Sequence, residues 1–383
     1  MVREFSIFAY LLCFRIVFSM CKWSSLKDKT LFVTYFGCNA SYIVKALEEH
    51  TNQEIVIVTN KHTFVPFQSD ERKQVLNLRT FHLIKWFQLV YHLATSKTIM
   101  VDNYYGFLAA TPFKQGVRCV QLWHAAGAIK KFGFEDETVR NRTKGAVKRF
   151  KRVYKRFTQV VVGSDEMSDI FKRSFGLESN RMLKTGIPRT DLFFNSTEQQ
   201  EIKEKLMGVY PILKEKKVIL YAPTFRDNQE GEGEYPLDTE TLLRALGSDY
   251  VLLLKNHPVL TYTPSQQYND SVIDVSQYKD VNHLLLLTDI LITDYSSIPF
   301  EYSLLEKPMI FYAYDLEEYT KTRGIQGEYQ DIIPGPMAKT TEEIIQYIQE
   351  NQFKHEDVKA YKDKWNTYSN GASSKNLIKA LYK

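Results

Sequence analysis

Short runs of aliphatic and β-branched residues recur along the chain, each closed by polar or turn-forming positions. In the first half the pattern predicts strands at Thr30–Thr34 and Glu54–Thr59, separated by a helical stretch from Ile43 to His50. Further strands are expected at Thr98–Asp102, Arg118–Leu122 and Gln159–Gly163. A second set begins at Val218, with KVILYAPTF, DYVLLLKNHP, SVIDVS, DILITDYSS and PMIFYAY each followed by turn residues or a helical pattern. Strands alternating with helices imply α/β halves built on mostly parallel sheets, whose ligands bind beyond the carboxyl ends of the strands. The polar segment Asn195–Lys217 is the expected bridge. Neither a fixed short repeat nor a low-complexity tract competes with this division.

The run LLLLTDILIT reads as one strand buried on both faces, and the stretch that follows, LITDYSSIPFEY, places an acid, a phenol and two hydroxyls at its end. Ser296 or Ser297 followed by Pro299 is a helix start signal. A strand, a tight turn and a helix N-terminus aim backbone N–H groups at one spot and make a seat for a phosphate. The dipole contributes about 0.3–1 kcal/mol, so other groups must share the task. An ordinary N-cap explains the same stretch when it is read alone.

At 383 residues and 44% hydrophobic content the chain has enough apolar material for two or three domains. Four scattered cysteines without a CxxC pair or zinc-type His spacing suit a reducing compartment, with no disulfide and no structural metal expected. The net charge of +5 is modest, but positive charge concentrates between Arg140 and Arg156. There Val147, Phe150, Val153, Tyr154 and Phe157 recur at helical spacing among Lys and Arg, as in a basic amphipathic helix. The N-terminal residues 1–27 are apolar and aromatic but broken by Arg15 and Ser19, short of the ~20 clean apolar residues of a spanning helix. They are expected to lie in the plane of a membrane surface; docking on the protein's own core is the alternative. An anionic membrane is the expected partner of both segments. Nucleic acid ranks below it, because no nucleic-acid module is present, and a merely solvated charged face is the remaining alternative for the basic segment.

Four constellations carry candidate chemistry. In CVQLWHAAGAIKKFG, a strand ends at Trp123-His124, and Gly127 permits close backbone approach by a substrate. A neutral imidazole there is placed to take a proton from a hydroxyl, although a core histidine fits the same spacing. In LLLKNHPVL, Lys255 and His257 leave a buried strand where cations suit an anionic ligand. In LYAPTFRD, Thr224, Arg226 and Asp227 follow another strand; Arg226 either grips phosphate or forms a structural pair with an acid. In TGIPRTDLFF, Arg189 follows a Gly–Pro turn near the expected domain junction. Asp294 is read as orienting hydroxyls or a histidine. The chain has no GxxxxGK[ST], GxGxxG, HExxH or DxD-type pair, so cationic side chains and helix termini would have to neutralise phosphates, and the expected transfer needs no metal and no cofactor.

In order, WHAAGAIKKFG, GIPRTD, ILYAPTFRD, LKNHP, ITDYSSIPFEY and IFYAYDLEEYTKTRG with PGP resemble the motifs of the CDP-glycerol glycerophosphotransferases of wall teichoic acid synthesis, from about residue 115 to residue 337. The resemblance implies a GT-B-like pair of Rossmann-type domains facing a cleft: an acceptor domain at 28–195 and a CDP-glycerol domain at 196–383, whose last helix packs back on the first. It implies attack of an acceptor hydroxyl on the β-phosphate of CDP-glycerol with release of CMP. His124 would be the general base and His257 the group that stabilises the donor diphosphate. Ser296 and Ser297 would hold the donor phosphates, with Asp294, Lys255, Arg226, Thr224, Glu301 and Arg189 as further donor-site candidates. Gln121, Trp123 and Lys130 would lie on the acceptor side. The first motif is most similar to the primase version, which adds one glycerol phosphate to N-acetylmannosaminyl-N-acetylglucosaminyl diphospho-undecaprenol at the cytoplasmic face of the bacterial membrane, with other teichoic acid enzymes as partners. An elongating glycerol- or ribitol-phosphate transferase, a GT-B nucleotide-sugar glycosyltransferase and a non-catalytic membrane-bound scaffold are the alternatives.

Overall fold

Apolar runs alternating with amphipathic helices give two sheets in which every strand pair is parallel. The computed structural model describes residues 2–78, 80, 82–224, 226, 236–256 and 270–382. The first sheet comprises β1 (Lys27–Val33), β2 (Glu54–Thr59), β3 (Lys73–Asn77), β4 (Ser96–Val101), β5 (Arg118–Gln121), β6 (Gln159–Val162) and β7 (Met182–Lys184), in the spatial order β3-β2-β1-β4-β5-β6-β7. The second comprises β8 (Lys217–Ala222), β9 (Tyr250–Leu254), β10 (Val272–Asp274), β11 (Ile290–Thr293), β12 (Met309–Tyr312) and β13 (Met337–Ala338), in the order β10-β9-β8-β11-β12-β13. Both orders reverse direction between the first and fourth strands, the switch point at which open parallel sheets leave a crevice for ligands.

Helices α1 (Val2–Cys21), α2 (Cys38–His50), α3 (Leu83–Thr95), α4 (Lys144–Tyr154) and α5 (Asp165–Phe175) accompany the first sheet. The second is served by α6 (Ser196–Val209), α7 (Thr239–Leu246), α8 (Val281–Leu285), α9 (Ile298–Tyr302), α10 (Leu316–Arg323), α11 (Thr341–Gln349) and α12 (His355–Trp365), and α13 (Ser373–Leu381) closes the chain. LLLLTDILIT is therefore divided: its first two leucines end α8 and only Ile290–Thr293 is strand. Periodicity cannot separate a buried helix end from a buried strand when both are apolar. The sequence signal also missed β3, β7 and β13, edge strands of two to five residues whose apolar alternation is weak.

The compact units are not continuous in sequence. One comprises Met1–His124, Phe132–Asp191 and Thr367–Lys383; the other comprises Ala125–Lys131 and Leu192–Asn366. The expected bridge is an ordinary helix, α6, of the second unit, capped by Asn195 through the Glu198 N–H. In the first unit, Asp191 accepts hydrogen bonds from the N–H groups of Ser373 and Ser374, and Thr30 Oγ1 lies 2.5 Å from the Tyr382 hydroxyl, so the last helix belongs with the first sheet. In the second unit, the short segment is stitched in by a bridge from Lys130 to Ile325 and by the Gln326 N–H bonding to the Ile129 carbonyl.

By length and composition α1 can cross a membrane, contrary to the expectation that Arg15 and Ser19 disqualify it. Its Phe14 and Phe18 are fully buried, Phe14 against Trp86 and Phe107 and Phe18 against Phe113, while Phe5, Phe8, Leu12, Ile16 and Met20 are exposed. Helix α4, with Thr143 as its N-cap, turns Val153 and Tyr154 into the unit's own core, and Phe157 just beyond it is also buried. The helix is amphipathic, with its apolar face turned inward and a basic face outward, and Arg149 holds Glu4 of α1 at 2.6 and 3.0 Å.

Candidate active site

In the first unit the candidate residues gather at the carboxyl ends of β1, β4 and β5. Asp102, directly after β4, is 3% exposed and accepts from the Thr34 hydroxyl at 2.5 Å, from the Tyr35 N–H at 2.8 Å and from the Tyr105 hydroxyl at 3.1 Å. Burial pushes its carboxyl pKa up while these donors pull it down. Its carbonyl oxygen lies 3.3 Å from His124 Nδ1. A carbonyl only accepts, so a neutral His124 carries its proton on Nδ1 and offers Nε2 as the acceptor. Burial lowers the His124 pKa to about 4, opposed by the Asp102 carbonyl, with Arg189 adding to the fall. The ring is neutral at pH 7.

The turn that presents His124 is strained. Trp123 has φ 58°, in the left-handed region that a bulky side chain avoids. Three hydrogen bonds hold it there: the Trp123 N–H to Gln121 Oε1 at 2.8 Å, Asn39 Nδ2 to the Trp123 carbonyl at 3.0 Å, and Gln121 Nε2 to the Asn103 carbonyl at 3.2 Å. Gln121, expected to touch acceptor, is buried and has both ends of its amide engaged in positioning this turn. Trp123 stacks on His124 with ring centroids 4.5 Å apart. Asn39 and Asp102, which sequence reasoning missed, hold this arrangement; an acid immediately after the apolar run TIMV was the available signal for Asp102. Arg189 lies in this unit, its N–H bonded to Asn39 Oδ1 at 3.0 Å, and not in the unit expected to hold donor.

In the second unit Asp294, directly after β11, is 1% exposed and accepts the Thr224 N–H at 2.8 Å. Its Oδ2 lies 2.9 Å from Arg226 Nη1, an ion pair whose angle falls outside that of a hydrogen bond. Arg226 also contacts Asp315 through Nε at 2.5 Å and Nη2 at 2.8 Å, donates to the Thr224 carbonyl at 2.7 Å, and sits 4.8 Å from the Tyr314 ring centroid. Arg226 thus takes the structural-pair alternative, and Asp294 orients this arginine and a backbone N–H rather than a histidine or hydroxyl. Of the opposing influences on the Arg226 guanidinium, burial disfavours its charge and the two carboxylates more than restore it.

Ser297 is the N-cap residue of α9 but its side chain makes no capping bond, and Ser296 Oγ accepts from the Ile298 N–H at 3.2 Å. Helix α9 has five residues, so its dipole is small and the two partly exposed hydroxyls carry more of any anion contact. Lys255, after β9, donates to the Ser276 carbonyl at 2.9 Å, and burial lowers its pKa. The Thr224 hydroxyl is buried with no hydrogen-bond partner among the described residues. His257 and Asp227 lie outside the described residues.

Three expectations are corrected here. Glu301 is 1% exposed and accepts the Ala126 N–H at 3.2 Å, so it braces the 125–131 segment instead of facing a sugar hydroxyl. A Cβ on Gly127 would sit 2.4 Å from the Phe300 ring, so the glycine makes room for an aromatic core contact rather than for substrate. Lys130 belongs to the second unit, whereas Gln121 and Trp123 belong to the first; it lies 5.5 Å over the Tyr319 ring, and burial lowers its pKa to about 8, opposed by nearby Asp294.

Two parallel sheets with the same strand order, and polar clusters at their switch points, define a GT-B-like α/β fold. The chain superposes on the wall teichoic acid polymerase TagF with a TM-score of 0.80 at 23% identity, covering 100% of this chain and 98% of that one. The family model for CDP-glycerol:poly(glycerophosphate) glycerophosphotransferase matches residues 16–383, and the protein belongs to that family. It is 38% identical over 362 residues to the teichoic acid glycerol-phosphate primase of Bacillus subtilis (strain 168), covering 93% of this chain and 92% of the relative. It is 40% identical over 278 residues to the teichoic acid poly(ribitol-phosphate) polymerase of Bacillus spizizenii (strain ATCC 23059 / NRRL B-14472 / W23), covering 71% of this chain but 44% of that polymerase.

Proposed function

We propose that the protein is a primase that moves one sn-glycerol 3-phosphate from CDP-glycerol to N-acetylmannosaminyl-N-acetylglucosaminyl diphospho-undecaprenol, releasing CMP. The observation that supports this reading is similarity along this chain: 93% of it matches a glycerol-phosphate primase at 38% identity, whereas the ribitol-phosphate polymerase match covers 71% of it.

In this mechanism His124 Nε2 takes the proton of the acceptor hydroxyl as its oxygen bonds to the β-phosphorus of CDP-glycerol. The bond from that phosphorus to the bridging oxygen breaks, and CMP departs with the electron pair. The Asp102 carbonyl supports the role by fixing the tautomer. Ser296 and Ser297, with the partly exposed Lys255, would hold the donor phosphates, and His257 would steady the departing phosphate. The reaction is proposed to need no metal. The exposed apolar face of α1 and the basic face of α4 would hold the protein on the cytoplasmic face of the membrane, beside its lipid-linked acceptor and the other teichoic acid enzymes.

The test is incubation of the purified protein with CDP-glycerol and the synthetic lipid-linked disaccharide in the presence of EDTA, following CMP and the mass of the lipid together. One added glycerol phosphate with one CMP is expected. A ladder of additions would make the protein a polymerase, and no CMP from either this acceptor or a pre-primed one would return the function to sugar transfer or scaffolding.

A further inference from the structure

A cavity of about 290 Å³ in the first unit lies one ring away from His124, because Trp123, which stacks on that histidine, also lines the cavity. Its size is at the small end of ligand sites, room for one ring unit rather than a whole nucleotide. The wall is aromatic: Phe132 lies 4.6 Å from Trp123 by ring centroids, and Phe150 and Tyr154 of α4 form another side, joined edge to face by Tyr104. Gly133 fixes the Phe132 backbone on α5, since a Cβ there would come within 2.2 Å of the Ser174 carbonyl oxygen.

The polar atoms are as informative as the rings. No hydrogen bond joins the Tyr104 or Tyr154 hydroxyl or Asn103 Nδ2 to another described residue, and none of these atoms is shut off from solvent, so each remains open to a ligand. The lining holds one acid, Asp136, and one cation, Arg142, so it offers no net charge to a diphosphate. Flat aromatic faces with neutral donors and acceptors at their edges suit a ligand that is apolar on its faces and hydroxylated on its rim. A pyranose ring has that form; a prenyl chain has no groups for the free phenols and amide.

We infer that this cavity binds the terminal N-acetylhexosamine ring of the acceptor and delivers its hydroxyl to His124. The inference rests on the primase reading, and it names the part of the acceptor that the protein grips. It also gives α4 a second task, since the helix whose outer face is basic supplies Phe150 and Tyr154 to the sugar.

Saturation-transfer NMR on the full chain tests it, with a soluble methyl glycoside of N-acetylmannosaminyl-N-acetylglucosamine as probe and with cytidine and geranyl diphosphate as competitors. Saturation of the terminal ring protons is expected, unaffected by either competitor. Phe150→Ala should weaken the glycoside about 5–10-fold, the range of one aromatic platform, and leave the CDP-glycerol Kd unchanged. Phe150 is only partly buried, and Tyr154→Phe, which keeps the core ring, provides a second variant that should also weaken the glycoside. Equal glycoside binding by wild type and both variants, or displacement by cytidine or geranyl diphosphate, would overturn the assignment. Glycoside binding that depends on these residues, without CMP release from the full lipid acceptor, would uphold the cavity and defeat the primase reading. CMP release without any glycoside binding would do the reverse.

Discussion

Asp102 and Asp294 occupy the same place in two separate sheets. Each directly follows the fourth strand in its sheet's order, and each accepts the N–H of the second residue beyond the first strand, Tyr35 in one case and Thr224 in the other. The acid ties the two loops that flank the switch point. The partners then diverge: Asp102 is satisfied by neutral donors and presents His124 through its carbonyl, whereas Asp294 is committed to Arg226.

Asp102→Asn should place an amide against donors that need an acceptor. A loss of about 2–3 kcal/mol in urea unfolding is expected from hydrogen bonds made to a buried charge, together with a fall in kcat through misplacement of His124. Unchanged stability and kcat would remove Asp102 from both roles.

Arg226→Ala should unfold the second unit rather than act on donor binding alone. It leaves Asp294 and Asp315 without their common cation, and breaking such a buried pair costs about 3–5 kcal/mol. A stable variant whose only defect is a raised CDP-glycerol KM would restore Arg226 as a phosphate ligand.

His124→Ala should lower turnover by about 100-fold or more with folding intact. The pH dependence has a definite sign. A base works when neutral, and burial holds the His124 pKa at about 4, below its ordinary 6.5. Thus kcat/KM should stay level as pH falls from 7 through 6.5 and drop only toward 4. An acidic limb centred near 6.5 would show that the working base is a different or an unburied group.

Ser297→Ala should raise the CDP-glycerol KM more than the acceptor KM. Because the hydroxyl makes no capping bond, stability should stay within about 0.5 kcal/mol of wild type. Equal changes in both KM values would contradict a phosphate seat at this turn.

Phe5→Ser combined with Phe8→Ser should reduce sedimentation with anionic vesicles at unchanged melting temperature, since these side chains are 72% and 62% exposed. Phe14→Ala should instead cost about 3–5 kcal/mol, as loss of a buried ring does. Vesicle binding indifferent to the double substitution would rule out α1 as the membrane contact.

The sequence by itself determined the parallel α/β architecture and the positions at which chemistry can sit. Both are local: strand periodicity and turn residues act over a few positions, and a polar residue closing an apolar run marks a strand end, as at Asp294 and Lys255, while His124 stands three residues past the end of β5. Only the tertiary structure decided which of those groups were already spoken for. Arg226 meets Asp315 across 89 positions, Glu301 meets Ala126 across 175 and Asn39 meets Trp123 across 84, and no periodicity carries such pairings. It also decided that Lys130 leaves its motif neighbours for the second unit, because the backbone of Ile129–Lys131 finds its hydrogen bonds at Gly324–Gln326. Strand ends are set by neighbours in sequence, but buried hydrogen-bond capacity is satisfied by whatever the packing brings near.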